Sequence, residues 1–162
     1  MVDFLVIGPI NTMCYKNMHR LFIEDRVSVG YGVITYFYNS NKKVLSYWYS
    51  SFRTEKNPIE IRGCYDENIH KRYLNYDAIY IKKSEDIPDE YYGVMGVPFV
   101  FLEKVNRNQF DIIGMLSDNY GDNVYVFNGE ERYIDEGHKH FTGPVIDGRA
   151  LYKRLLIKKK IS

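Results

Sequence analysis

Residues 76–114 constrain the fold of this chain more than any other stretch. In order they read as a strand, an acidic proline turn, a glycine-proline loop, a short amphipathic segment and a second strand. The strands are expected at Asp77 to Ile81 and at Phe110 to Met115, where apolar and β-branched residues suit a pleated, half-buried surface. Between them, Gly93-Val-Met-Gly-Val-Pro98 carries two glycines, whose missing Cβ permits a sharp turn or a close backbone approach. A phosphate loop is excluded, because the Lys-Ser/Thr ending of that motif is missing. The loop is expected to be structural, with contact to a nucleic acid as the alternative.

The N-terminal flank has a different texture. Phe4-Leu-Val-Ile7 is a short apolar run closed by Gly8-Pro9, the pattern of a strand buried on both faces. A helix is expected from Thr12, its N-cap, to about Asp25, with Met13, Met18, Leu21 and Phe22 on the buried face. Arg26 to Gly30 then reads as a second strand, so this flank has the size of one βαβ unit. After Gly32 the chain turns β-rich. Val33 to Tyr38 and Val44 to Tyr49 flank a polar turn and suggest a hairpin. Ile59 to Ile61, Asn123 to Phe127 and Arg132 to Ile134 read as further strands. Leu151 to Lys158 reads as a last strand, with a short helix as the alternative. The expected class is α/β, with a partial α/β unit over residues 1–32 and a β-rich region over 33–162.

Composition decides less. The 162 residues fit one ordinary domain. Twenty-two basic against 21 acidic residues give a net charge of +1, so a strongly basic nucleic-acid binder is not indicated, although local patches remain open. Sixteen tyrosines suit half-buried strands, base stacking or a partner surface, and the count does not separate these. Cys14 and Cys64 lie far apart and are expected as reduced thiols. No apolar run reaches membrane-spanning length and no signal-peptide pattern opens the chain, so a soluble, cytoplasmic protein is expected.

Basic residues interleave with aromatics at two places. Trp48 and Tyr49 precede Arg53 and Lys56; Lys71 and Arg72 precede Tyr73. Cations of this kind neutralise phosphates and aromatic rings stack on bases, so Trp48, Tyr49, Arg53, Lys71 and Arg72 are candidate DNA-binding residues. Solvated strand faces would give the same pattern. Lys82, Lys83, Lys153, Arg154 and residues 158–160 add positive charge. His138 and His140 share a face if extended, but no third or fourth metal ligand accompanies them, and a solvated loop is expected. No nucleophile-elbow sequence supports a Ser/His/Asp triad.

Several blocks together resemble a known family. They are Asp3-Phe-Leu-Val-Ile-Gly8 with Asn11-Thr-Met-Cys-Tyr-Lys16, then Trp48-Tyr-Ser-Ser-Phe52, then Tyr76-Asp-Ala-Ile79, Ile87-Pro88, Gly93 to Pro98, Phe101-Leu102 and Gln109-Phe110. A closing segment follows at Ile146-Asp-Gly-Arg149 with Tyr152, Arg154 and Ile157-Lys158. The pattern resembles the C-terminal part of the EcoRI-type adenine-specific DNA methyltransferases, with Ser51 standing where the family has Asn. The resemblance implies the trailing portion of a Rossmann-like methyltransferase sheet followed by a β-rich, target-recognition region. It implies methyl transfer from S-adenosylmethionine to adenine N6, on a base extruded from the duplex. Double-stranded DNA is then the implied partner.

That chemistry needs a Gly-rich cofactor turn and an Asn/Asp-Pro-Pro-aromatic motif. Gly30-Tyr-Gly32 is too short and too late for the first, and Val97-Pro98-Phe99 lacks the polar residue of the second. No catalytic, cofactor-binding or metal-binding residue is therefore assigned, and no cofactor is expected for this chain alone. A fragment, a truncated gene or half of a split enzyme is expected, inactive without an N-terminal methyltransferase segment and open to self-association. The contrasting class is a stand-alone Tyr-rich protein-interaction module. A metal-dependent hydrolase using His138 and His140 is a third.

Overall fold

The structure is a computed structural model that describes residues 2–36, 41–74, 76–116, 124–127, 130–133, 144–147 and 149–161. The architecture is α/β, with mixed sheets and little helix. The chain opens with β1 (Leu5–Pro9), a 3-10 turn (Ile10–Cys14) and α1 (Lys16–Ile23), followed by the hairpin strands β2 (Ser28–Tyr36) and β3 (Lys43–Ser50). β1 and β2 each pair antiparallel with β3, giving the order β1-β3-β2. The two strands flanking α1 are thus parallel to one another, with β3 inserted between them.

The second sheet is larger. β4 (Ile79–Tyr80) and β5 (Val94–Pro98) precede a 3-10 turn (Phe99–Glu103), then β6 (Phe110–Leu116), β7 (Val124–Phe127) and β8 (Glu130–Tyr133). A small ladder of β9 (Val145–Ile146) and β10 (Arg149–Ala150) leads to β11 (Arg154–Lys159). The order is β4-β5-β11-β6-β7-β8, antiparallel except for the parallel β4/β5 pair. The last strand therefore runs through the sheet between β5 and β6 rather than forming a helix.

One apolar cluster joins the two sheets. Val29, Tyr47 and Tyr49 from the first meet Met95, Val97, Ile112, Leu155 and Ile157 from the second, with Met13, Phe22 and Phe101 among them. The period-two alternation of the strands puts these side chains on one face. The opposite face of the larger sheet carries a smaller cluster of Tyr73, Ala78, Leu116, Ile146 and Leu156.

Several expectations change. β1 is not buried on both faces: Leu5, Val6 and Ile7 are 57%, 51% and 43% exposed, because β1 is an edge strand paired only with β3 among the described residues. Thr12 does not cap the helix. Extended backbone at Tyr15 separates the 3-10 turn from α1, and the Thr12 side chain hydrogen-bonds Tyr49 instead. The expected buried face survives that break, with Met13 and Phe22 buried and Met18 and Leu21 packed against them.

Gly93 to Pro98 is mostly strand rather than loop. Its glycine serves close approach: the Tyr73 hydroxyl donates to Gly96 O, and a Cβ on Gly96 would overlap that hydroxyl. Ile59 to Ile61 forms no strand. The Gln109 carboxamide takes the strand partner's place, accepting from Ile59 N at 2.8 Å and donating to Ile59 O at 2.8 Å. Neither cysteine is in a disulfide; Cys14 is buried and Cys64 exposed. No described helix is long and apolar enough to cross a membrane.

Candidate nucleic-acid interface

The polar architecture of interest begins where α1 stops. Asp25 has φ 54°, the left-handed region that Gly usually fills. Asp25 N donates to Phe22 O and Arg26 N to Leu21 O, the bond pair of a Schellman cap, which satisfies two of the helix's terminal carbonyls. The left-handed turn presents the Asp25 carboxylate to two guanidinium groups. Arg53 Nη2 lies 3.1 Å from one oxygen and Arg107 Nε 3.3 Å from the other. Arg53 remains 66% exposed, whereas Arg107 is 18% exposed and also donates to Phe22 O. Burial pushes the Arg107 pKa down, against the opposing pull of Asp25 and Asp111.

These groups border a cavity of about 380 Å³. Its floor is apolar, with Phe22, Val29, Leu102 and Ile112; Asp25, Arg53, Lys56, Asn106 and Arg107 supply the polar rim. Asn106 fixes the loop by donating to Lys56 O while accepting from Asn108 N at 2.8 Å. The Lys56 ammonium sits 4.9 Å from the centre of the Tyr31 ring, a cation–π arrangement. Burial lowers its pKa, an effect partly offset by Glu103. Glu103 also accepts from Gly32 N at 3.0 Å, at the end of the β2 bulge, where the register against β3 shifts between Val29 and Gly32.

Of the sequence candidates, Arg53 stands in this cavity together with Lys56. Trp48 lies on β3, half exposed, on the face turned away from Tyr47 and Tyr49 and cross-strand from Ile7. Tyr49 is a packing residue: it is 1% exposed and its hydroxyl donates to Pro9 O at 3.0 Å, so no ring face is open to a base. Lys71 and Arg72 belong to the other sheet, beside the β4 edge, where Arg72 bridges to Ile79. They are paired with Asp147 and Asp77 respectively, in exposed contacts that contribute little to stability. The candidates thus divide between the two sheets. Asp25 and Arg107 escaped the sequence reading, since nothing local marks a contact across that many residues. His138 and His140 lie outside the described residues, and the described residues hold no metal-binding group of three or more His, Cys, Asp or Glu.

The fold and cavity define an α/β protein with an arginine-rimmed site between its sheets. The family model described as "Adenine-specific methyltransferase EcoRI" matches residues 36–160, and this chain belongs to that family. It is similar to the type II methyltransferase M.EcoRI of Escherichia coli, 28% identical over 97% of this chain and 50% of the relative. It is also similar to M.MgeORF184P of Mycoplasma genitalium and M.MpnI of Mycoplasma pneumoniae. Each is 26% identical over 98% of this chain and 57% of the relative. The chain thus spans about half the length of these relatives. No solved structure matches it.

Proposed function

We propose that this chain is the C-terminal portion of an adenine-N6 DNA methyltransferase of restriction-modification type, contributing scaffold and DNA engagement. The family match over residues 36–160 carries this proposal. S-adenosylmethionine is the methyl donor it implies, and the described residues do not fit that group. A cradle needs glycines open to the ligand. At Gly8, Gly30 and Gly32 a Cβ would instead meet Tyr49, Trp48 and Tyr47, so these glycines accommodate aromatic rings of the same sheet. No step through the cofactor is derived for this chain.

The sheet supports the same proposal. Among the described residues β1 offers an unpaired edge and exposed residues on both faces, which suits continuation into a preceding methyltransferase segment. In that arrangement β1, α1, β2 and β3 are the trailing portion of a Rossmann-like sheet, and the six-stranded unit is the target-recognition region. Trp48, Arg53, Lys71 and Arg72 are the groups proposed to meet duplex DNA.

A second reading, a Tyr-rich protein-interaction module, is favoured by the exposure of Tyr15, Tyr31, Tyr36, Tyr92 and Tyr152. Duplex binding measured over a salt series separates the two. Affinity that falls steeply with salt is expected of the methyltransferase portion. Absence of duplex affinity, with salt-insensitive capture of a defined protein partner, would replace it with the interaction module.

A further inference from the structure

We propose that the cavity at the end of α1 binds one phosphodiester group of duplex DNA through Arg53, with Asp25 as a built-in competitor for that arginine. This rests on the DNA-engagement reading and assigns it a site. The charge fits: Arg53, Lys56 and Arg107 are positive and Asp25 and Glu55 negative, leaving one net positive charge along the cavity wall. A phosphodiester carries one negative charge.

The two arginines are not equivalent. Arg107 is enclosed and holds both Asp25 and Phe22 O, so it fixes the carboxylate in place. Arg53 reaches the same carboxylate from the solvent side, with most of its surface exposed. It can therefore leave Asp25 for a phosphate oxygen without unburying any group, whereas Arg107 cannot. Two guanidiniums on one carboxylate also leave most of their donors unspent. The Lys56 ammonium, held over Tyr31 at the same rim, adds a second positive charge whose burial an anion would compensate.

The test is fluorescence anisotropy of the intact chain with a labelled short duplex across a salt series. Arg53→Gln is expected to weaken binding about tenfold at low salt and to make the salt slope shallower by about one. Asp25→Asn keeps a residue that tolerates the left-handed turn and removes the competitor; it is expected to tighten binding severalfold. Glu85→Gln makes the same charge change at a remote exposed position and is expected to leave affinity unaltered. Circular dichroism confirms that each variant folds, which the exposure of Arg53 favours. If Arg53→Gln and Asp25→Asn bind like the parent, the cavity is not the phosphate site, while salt-sensitive binding by the parent still upholds DNA engagement. If Glu85→Gln tightens binding as much as Asp25→Asn, the effect is overall charge and the site is again rejected. If the parent has no duplex affinity, both proposals fall.

Discussion

Asp25 illustrates how a single residue can trade local comfort for a distant contact. Gly would adopt its left-handed backbone without strain, but would leave Arg107 enclosed without its carboxylate. Asp25→Ala loses the carboxylate and keeps the strain, whereas Asp25→Gly loses the carboxylate and relieves it. Urea unfolding is expected to place the alanine variant about 1 kcal/mol below the glycine variant; equal stabilities would mean the turn is unstrained. Tyr49 makes a different residue-scale case. Its aromatic character was plain in the sequence, but not that its ring belongs to the core, since alternation along β3 does not say which face is covered. Burial raises its pKa to about 12 from an ordinary value of 10. A raised folded-state value means that the neutral phenol is the form the fold prefers. Its stabilisation is complete below pH 10 and is lost as pH climbs through 12, a loss of roughly 2–3 kcal/mol. Tyr49→Phe is expected to be less stable at neutral pH by about 1 kcal/mol for the lost bond to Pro9, yet to show a flatter decline between pH 10 and 12. Parallel alkaline curves for the two proteins would show that Tyr49 does not titrate in that window.

At the scale of elements, strands were legible where apolar and polar residues alternate between turn signals, as in β3 and β6. Arg26 to Gly30 and the run from Val33, expected as two strands, instead form the single bulged strand β2. Helix α1 was legible by its buried face but not by its start, because extended backbone at Tyr15 interrupts the helical run and no side-chain cap marks the place. Gly93 to Pro98 was misjudged because glycine in a strand looks like a turn until the ring lying over it is seen. Gly96→Ala is therefore expected to displace Tyr73 and cost about 1–3 kcal/mol in urea unfolding, with near-neutral behaviour contradicting the packing. Ile59 to Ile61 failed for the converse reason: its partner is a side chain, which no strand pattern encodes. Gln109→Ala leaves Ile59 N–H and C=O without their partner. Amide exchange at Ile59 is expected to accelerate at least tenfold, the response to about 1.4 kcal/mol of lost protection, with the core strands unaffected. Unchanged exchange at Ile59 would show that the carboxamide is not its partner.

At the scale of the whole molecule, the outstanding feature among the described residues is a three-stranded sheet with apolar residues exposed on the face away from the core. Among the described residues β1 is an edge strand, and Leu5, Ile7, Val33 and Trp48 are exposed on the face away from the core. Exposed apolar strands of this kind associate. Sedimentation velocity is expected to detect concentration-dependent association of the chain that Ile7→Lys reduces; a monomer at all concentrations would mean that this face needs no partner. The family was legible in the sequence because its motifs are local strings. The cavity was not, because Asp25, Arg53 and Arg107 are brought together only by tertiary packing. Sequencing the DNA that precedes the Met1 codon tests the central claim most directly. A C-terminal methyltransferase portion requires upstream coding sequence for a Gly-rich cofactor turn and an Asn/Asp-Pro-Pro-aromatic motif, whether in frame or interrupted by stops. Upstream sequence without either motif would contradict the methyltransferase role and leave family membership as a matter of ancestry.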